Sequence, residues 1–158
     1  MNITLRPRTE ENVRIYFEKT RDAEIQRFLP MKAQSVGEAV EDFRKSTSPG
    51  SSSFGKSIYA DGTYIGDVWC YCIQSDEPNA MLSYCIFEKS LWGHGAATKA
   101  VELFMTKLKS GLGIKSIGAF TFAENIASIR VLEKNGFSVA ERFAENGVES
   151  VYMEKELL

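Results

Sequence analysis

Apolar and polar residues alternate along Asn2-Ile3-Thr4-Leu5-Arg6, which predicts a strand, and Thr9 with Glu10 and Glu11 behind it reads as a helix cap with acids in its first turn. Ile25, Phe28 and Leu29 suggest a short second helix stopped at Pro30. Ser35 and Glu38 form a capping box, and Val36, Ala39, Val40 and Phe43 give the stripe of a third helix. From Ser46 to Gly55, five Ser, two Gly and one Pro mark a loop. Strands are expected at Ser57 to Ala60 and Thr63 to Ile73, joined by Asp61-Gly62 in a tight hairpin, then at Met81 to Phe87 beyond a polar loop from Gln74 to Asn79. After Gly95 the period changes. Ala97, Ala100, Val101, Phe104, Met105 and Leu108 form a long helical stripe that Ser110-Gly111 ends. Lys115 to Phe122 then reads as a strand, Asn125 to Asn135 as a helix closed by Gly136, and Phe137 to Glu141 and Val148 to Glu156 as strands turning at Asn146-Gly147. This order predicts an α+β fold with a mixed sheet and helices on both faces, in one domain over residues 1–158.

The balance of 19 basic and 21 acidic side chains, a formal net charge of -2, argues against a broad nucleic-acid face. No apolar run approaches the length of a membrane span, and the first twenty residues lack a secretory apolar core, so a cytoplasmic protein is expected. Three cysteines, an odd number, suit that compartment. Cys70, Cys72 and Cys85 are read as buried apolar residues, because Cys-x-Cys with the single His of the chain lacks the spacing of a metal site; no metal is expected.

Candidate chemistry begins at Trp92-Gly93-His94-Gly95-Ala96-Ala97-Thr98, between a strand and the longest helix. The first turn of a helix carries N–H groups without internal partners, and glycines and small residues let an anion approach them. The loop has neither the third glycine of a dinucleotide fingerprint nor the Gly-Lys-Ser/Thr ending of a Walker loop, and a plain helix-capping turn is the alternative reading of this segment alone. The second segment is Asn125-Ile126-Ala127-Ser128 with Lys134, Gly136 and Phe137 behind it.

Together the two segments resemble the GNAT superfamily of acyl-CoA-dependent N-acyltransferases, with Gly95 and Ala97 matching its pyrophosphate loop and Asn125, Ser128, Lys134, Gly136 and Phe137 its following helix. Trp-Gly-x-Gly-x-Ala-Thr, Leu5-Arg6-Pro7 and Ile25 to Leu29 are similar to the branch of ribosomal-protein N-terminal acetyltransferases, although Trp92 stands where Gln or Arg is usual. The resemblance implies a central, mostly antiparallel sheet of about seven strands in which Met81 to Phe87 and Lys115 to Phe122 run parallel and splay apart. It implies acetyl-CoA as cosubstrate and direct attack by an amine, with an oxyanion formed and a thiolate released. By position, Ile86 and Phe87 would hold the pantetheine arm. Gly93 and the run His94, Gly95, Ala96, Ala97 and Thr98 would hold the pyrophosphate, with His94 contributing its backbone N–H. Asn125 would bond the pantetheine.

The family's usual acid, a Tyr seven positions after Asn125, is Leu132 here. Ser128 is then the available hydroxyl, unless it is only a solvated helix serine. No carboxylate lies in Met81 to Phe87 to serve as base, which leaves Asp67, Glu88 and Glu141, with Glu141 preferred by analogy. Tyr84 and Trp69 could line an acceptor site or simply fill a core. Acids at Asp22 and Glu24, at Glu38, Glu41 and Asp42, and at Asp76 and Glu77 could attract a cationic amine or be solvated faces. The acceptor classes that follow are a peptide N-terminus, a polyamine or an aminoglycoside-like amine. A non-catalytic acyl-CoA-binding or regulatory module is the competing reading, and a nucleotide-binding regulatory domain a third. Oligomeric state stays open, a homodimer included.

Overall fold

The computed structural model describes residues 1–29, 33–73, 76 and 78–157. The chain runs through β1 (Ile3–Pro7), α1 (Glu10–Lys19), α2 (Ala23–Gln26), α3 (Val36–Ser46), β2 (Phe54–Ala60), β3 (Thr63–Tyr71) and β4 (Ala80–Ile86). It continues with α4 (Ala96–Lys107), β5 (Ser116–Phe122), α5 (Ile126–Lys134), β6 (Ser138–Glu145) and β7 (Val148–Glu156). The seven strands form one sheet in the order β1-β2-β3-β4-β5-β7-β6, antiparallel throughout except between β4 and β5. This is the mixed α+β architecture that the order of elements predicts.

Alternation along the strands divides the sheet faces. Val68, Cys70, Leu82 and Ile86 point to the face that α4 covers with Ala100, Val101 and Phe104, and this forms the main core. Asp67 and Trp69 point the other way, where the Tyr16 ring of α1 meets Trp69 edge-on at 6.2 Å and Phe87 at 6.3 Å. Local chemistry fixes the ends. Thr9 Oγ1 accepts the Asn12 N–H at 3.1 Å, and Ser35 Oγ accepts that of Glu38 at 3.1 Å. The Glu38 carboxylate reaches the N–H of Gln34, one residue ahead of the cap, rather than that of Ser35 itself. Asp61, Gly62, Asn146 and Gly147 all have positive φ, as tight hairpins require.

Several boundaries differ from the sequence reading. β2 starts at Phe54, inside the expected loop, because that ring stacks on Phe104 with centroids 5.8 Å apart. β3 ends at Tyr71 instead of Ile73, and β6 runs on to Glu145. The long helix does not stop at Ser110-Gly111: a π turn over Leu108–Leu112 extends it to a left-handed Gly113. Of the three cysteines only Cys70 is fully buried; Cys85 is half-buried and Cys72 is exposed. Pro30, the expected stop of the second helix, and Glu77 of the acidic run lie outside the described residues, as does part of the loop from Gln74. Among the described residues no helix is long and apolar enough to cross a membrane, and no cluster of His, Cys, Asp and Glu could hold a metal ion.

What positions the site is the separation of β4 from β5. These strands pair only at Ala80 with Ile117 and Met81 with Gly118. Asn79 pins their starts together, its Oδ1 accepting the N–H groups of Lys115 at 3.0 Å and Ser116 at 3.1 Å. Beyond Met81 and Gly118 the strands part and leave a cleft.

Candidate active site

Ladder parity decides which backbone groups face the cleft. Phe87 N–H donates to the Ile65 carbonyl at 2.9 Å, so alternation along the antiparallel pair ties the backbone groups of Cys85 and Ser83 to β3 as well. Those of Leu82, Tyr84 and Ile86 therefore turn toward β5. On the other wall, Leu157 N–H bonds the Lys115 carbonyl and Ala123 N–H that of Glu149, which turns the groups of Phe120 and Phe122 toward β4. The expectation for Phe87 is thus corrected. Its N–H belongs to the sheet and its ring is buried beside Tyr16 and Tyr64. Ile86 does face the cleft, together with Tyr84, which the resemblance did not assign to the backbone cradle.

The loop after β4 ends in a donor cluster. Gly93 and Gly95 have φ of +79° and +85°, and a Cβ built on either would meet only open space. No side chain caps α4, and among the described residues no acceptor takes the N–H groups of Ala96, Ala97 and Thr98, the first three of the helix. This arrangement fits a pyrophosphate. His94 differs from its expected role, because its N–H already donates to the Leu91 carbonyl at 3.3 Å. Trp92 has a function that sequence reasoning missed: its indole Nε1 donates to the cleft-facing carbonyl of Ile86 at 2.8 Å and ties the loop to the end of β4. A groove of about 470 Å³ opens beside Thr98, lined in part by Lys109, Lys134 and Lys155 together with Glu102 and Glu156, and Lys155 Nζ donates to the Asn135 carbonyl at 2.7 Å.

Asn125 caps α5, with its Oδ1 accepting the Ser128 N–H at 3.2 Å, which leaves its amide NH₂ as the end not used by the cap. Ser128 Oγ lies 2.7 Å from the Tyr84 hydroxyl, which also donates to the Ser128 carbonyl at 3.2 Å. The Tyr84–Ser128 contact joins β4 to α5 across the cleft. Burial pushes the Tyr84 phenol up to about 12, opposed by its bond to Ser128. Leu132, where a tyrosine acid is usual, is 1% exposed and packs in the core.

The three carboxylate candidates are not equivalent. Asp67 is 1% exposed, accepts from the Tyr64 hydroxyl at 2.7 Å and pairs with Arg8 at 3.5 Å; burial raises its pKa while those two partners oppose the rise. Glu88 is exposed and accepts from Ser90 Oγ at 3.0 Å. Glu141 is exposed on the edge strand β6, opposite Tyr152 of β7, which stands opposite Phe120 of the cleft wall. At about 4.8 Å per strand, Glu141 is about 10 Å from β5, too far for direct contact with the cleft wall.

The acids at Asp22 and Glu24 do not form an open cation trap. Both pair with Lys89 after β4, at 2.8 and 2.9 Å, while Arg27 pairs with Glu124 after β5 at 2.9 Å. α2 therefore bridges the far ends of the two parting strands, and Phe28 packs on Phe122 at 6.1 Å beside it. Trp69 sits under α1 against Tyr16, away from the parted strands.

Parted parallel strands with a glycine-turned helix start at their mouth define an acyl-CoA transferase architecture. The family model for the acetyltransferase (GNAT) domain matches residues 2–138. The chain belongs to this family, and so to the acyl-CoA-dependent acetyltransferases. Among solved structures it is similar to a spermidine N-acetyltransferase from Vibrio cholerae in complex with CoA and spermine, at TM-score 0.85 and 18% identity, covering 98% of this chain and 95% of that one. It is also similar to aminoglycoside acetyltransferase AAC(6')-Ib in complex with coenzyme A, at TM-score 0.81 and 20% identity over 98% and 95% of the two chains. Mycobacterium smegmatis RimJ in complex with CoA-disulfide superposes at TM-score 0.82 and 17% identity, over 98% and 81%. No curated protein sequence matches the chain.

Proposed function

We propose that this protein moves an acetyl group from acetyl-CoA to a primary amine, a small amine or a peptide N-terminus, in the cytoplasm. The observation that carries the reading is the cleft, where backbone groups of Leu82, Tyr84 and Ile86 face those of Phe120 and Phe122 and lead to the open helix start at Gly95.

Bound acetyl-CoA supplies the thioester that the amine attacks and the thiol that departs. The chain does the rest. The N–H groups of Gly93, Gly95, Ala96, Ala97 and Thr98 hold the pyrophosphate, and the Asn125 amide with the edge of β4 at Ile86 holds the pantetheine arm. Backbone N–H groups of β4 stand fixed before negative charge develops on the acyl oxygen, so no reorganisation is needed at the moment of reaction. Ser128 Oγ keeps a proton near the departing sulfur and draws on the Tyr84 hydroxyl behind it. Glu141 takes the amine's proton through water.

Thiol release from acetyl-CoA over an amine panel tests this reading. Steady turnover supports it; saturable acetyl-CoA binding without turnover would favour a binding module on the same fold, and no binding would remove both.

The base assignment has its own test. Near neutral pH, Glu141→Gln should lower kcat/KM by about tenfold, more than Glu88→Gln, and part of the loss should return as pH rises toward the amine's own pKa, where free amine is abundant. Asp67→Asn should disturb folding before catalysis, since it leaves Arg8 beside a neutral buried amide; its melting temperature should drop while kcat of the folded fraction stays within about twofold. Equal kcat/KM in wild type and Glu141→Gln would assign the proton transfer to water alone.

A further inference from the structure

The sheet face opposite α4 and α5 carries aromatic rings over β5, β7 and β6 that the mechanism leaves unused. Phe120 is 58% exposed. Its ring lies 5.0 Å from that of Tyr152 and 5.9 Å from that of Phe143, the second contact edge-on at 87°. Register places Glu141 opposite Tyr152 and Glu154 opposite Gly118, so both carboxylates share this face, while Arg142 and Lys155 alternate to the other. Among the described strand residues of β5, β6 and β7 this face holds no cation, and the opposite face holds the groove beside Thr98 where Lys109, Lys134 and Lys155 outnumber Glu102 and Glu156. The sheet thus separates a basic side suited to phosphates from an acidic, aromatic side suited to an ammonium group.

The Tyr152 hydroxyl links the patch to the cleft. Its oxygen is buried, and burial together with the Glu154 carboxylate beside it pushes the phenol up. It lies over Gly118, where any Cβ would overlap the hydroxyl and the ring. Gly118 is also half of the last pair before β4 and β5 part. A phenol and a carboxylate held together at the vertex of the cleft, in a space that only glycine leaves open, offer an ammonium group an acceptor and a charge.

We propose that this face is the acceptor subsite and that it takes a small primary amine on an aromatic body, with the ring against Phe120 and Phe143 and the nitrogen at the Tyr152 hydroxyl. The inference rests on the acetyltransferase reading above. Aromatic faces attract the ammonium form and stack on the body it carries. A polyamine could use the carboxylates of this face but would leave the Phe120 and Phe143 rings with nothing to stack on, and an aminoglycoside would leave hydroxyls unpaired against them. A peptide would need partners for its amides, whereas the backbone groups of these strands lie in the sheet plane and the face offers only rings and carboxylates.

The test is calorimetric binding of 2-phenylethylamine, spermidine, kanamycin and a Phe-initiated tripeptide amide to the protein saturated with CoA, alongside kcat/KM for each amine with acetyl-CoA. 2-Phenylethylamine should bind about tenfold or more tighter than the others. Phe120→Ala, at an exposed position, should fold normally by circular dichroism and weaken that binding by about tenfold. Tyr152→Phe should keep the ring contacts and weaken it less, while shifting kcat more than KM. Preference for spermidine, kanamycin or the peptide, or unchanged 2-phenylethylamine binding in Phe120→Ala, would overturn the proposal. So would loss of a dimer in Phe120→Ala by sedimentation with amine affinity intact, which would make the face a contact between copies. Selective amine binding without acetyl transfer would support the subsite and strike only the transferase reading.

Discussion

Gly95→Val should weaken acetyl-CoA binding by at least about 100-fold. The valine side chain would enter the open space that Gly95 leaves in front of the first N–H groups of α4. Hydrogen bonds to a charged group contribute about 1.5–3 kcal/mol each, so losing two of them costs about 3–6 kcal/mol, and each 1.4 kcal/mol is a factor of ten. The substitution also strains a backbone at φ +85°, so a control with the same strain elsewhere is needed. Gly147 provides it, with φ +78° and open space at the tip of the β6–β7 hairpin. Gly147→Val should lower the melting temperature about as much as Gly95→Val and leave acetyl-CoA affinity, measured by calorimetry, unchanged. Equal affinity in folded Gly95→Val and wild type would remove the pyrophosphate cradle from the mechanism.

The elements were legible where burial is one-sided, because a half-buried helix or strand prints its period on the sequence. Ala97 through Leu108 is such a case, with Ala100, Val101, Phe104, Met105 and Leu108 buried at helical spacing. Legibility failed where burial gives no signal. β6 is an edge strand with Ser138 through Arg142 all exposed, so its length could not be read from alternation. Phe54 is a single apolar residue among Ser and Gly, and only a distant partner, Phe104, makes it part of a strand.

The site divides in the same way. Local motifs marked the helix start at Gly95 and the cap at Asn125, since each acts within its own turn. The roles of Phe87 and Tyr84 depend on which neighbour each backbone group faces, a parity that no single strand reveals. Trp92 stands where the resemblance leads one to expect Gln or Arg, and its indole holds the loop to Ile86. Lys89 and Asp22, or Tyr84 and Ser128, become neighbours only through the topology of the sheet. Tyr152 is more remote still, a strand away from any motif, and its meaning comes from a hydroxyl held over Gly118 beside Glu154.

That same topology makes the Tyr84–Ser128 pair the second large effect to expect. Two proton arrangements are available between these oxygens at 2.7 Å. When Tyr84 donates to the Ser128 carbonyl, Ser128 must donate to Tyr84; when Tyr84 donates to Ser128 Oγ, the serine proton is released for the departing sulfur. Because burial pushes the phenol up to about 12, both protons are present across neutral pH, and the pair is ready in every turnover. Ser128→Ala should lower kcat by about 10–100-fold and Tyr84→Phe by about tenfold, with little change in KM for acetyl-CoA. The double variant should be no worse than Ser128→Ala alone, since the tyrosine acts through the serine. A donor whose leaving group needs no proton separates acid catalysis from packing: with p-nitrophenyl acetate the loss in either variant should shrink to less than about threefold. An equal loss with both donors would reduce the pair to a brace between β4 and α5, and additive losses would mean that Tyr84 reaches the sulfur by a route of its own.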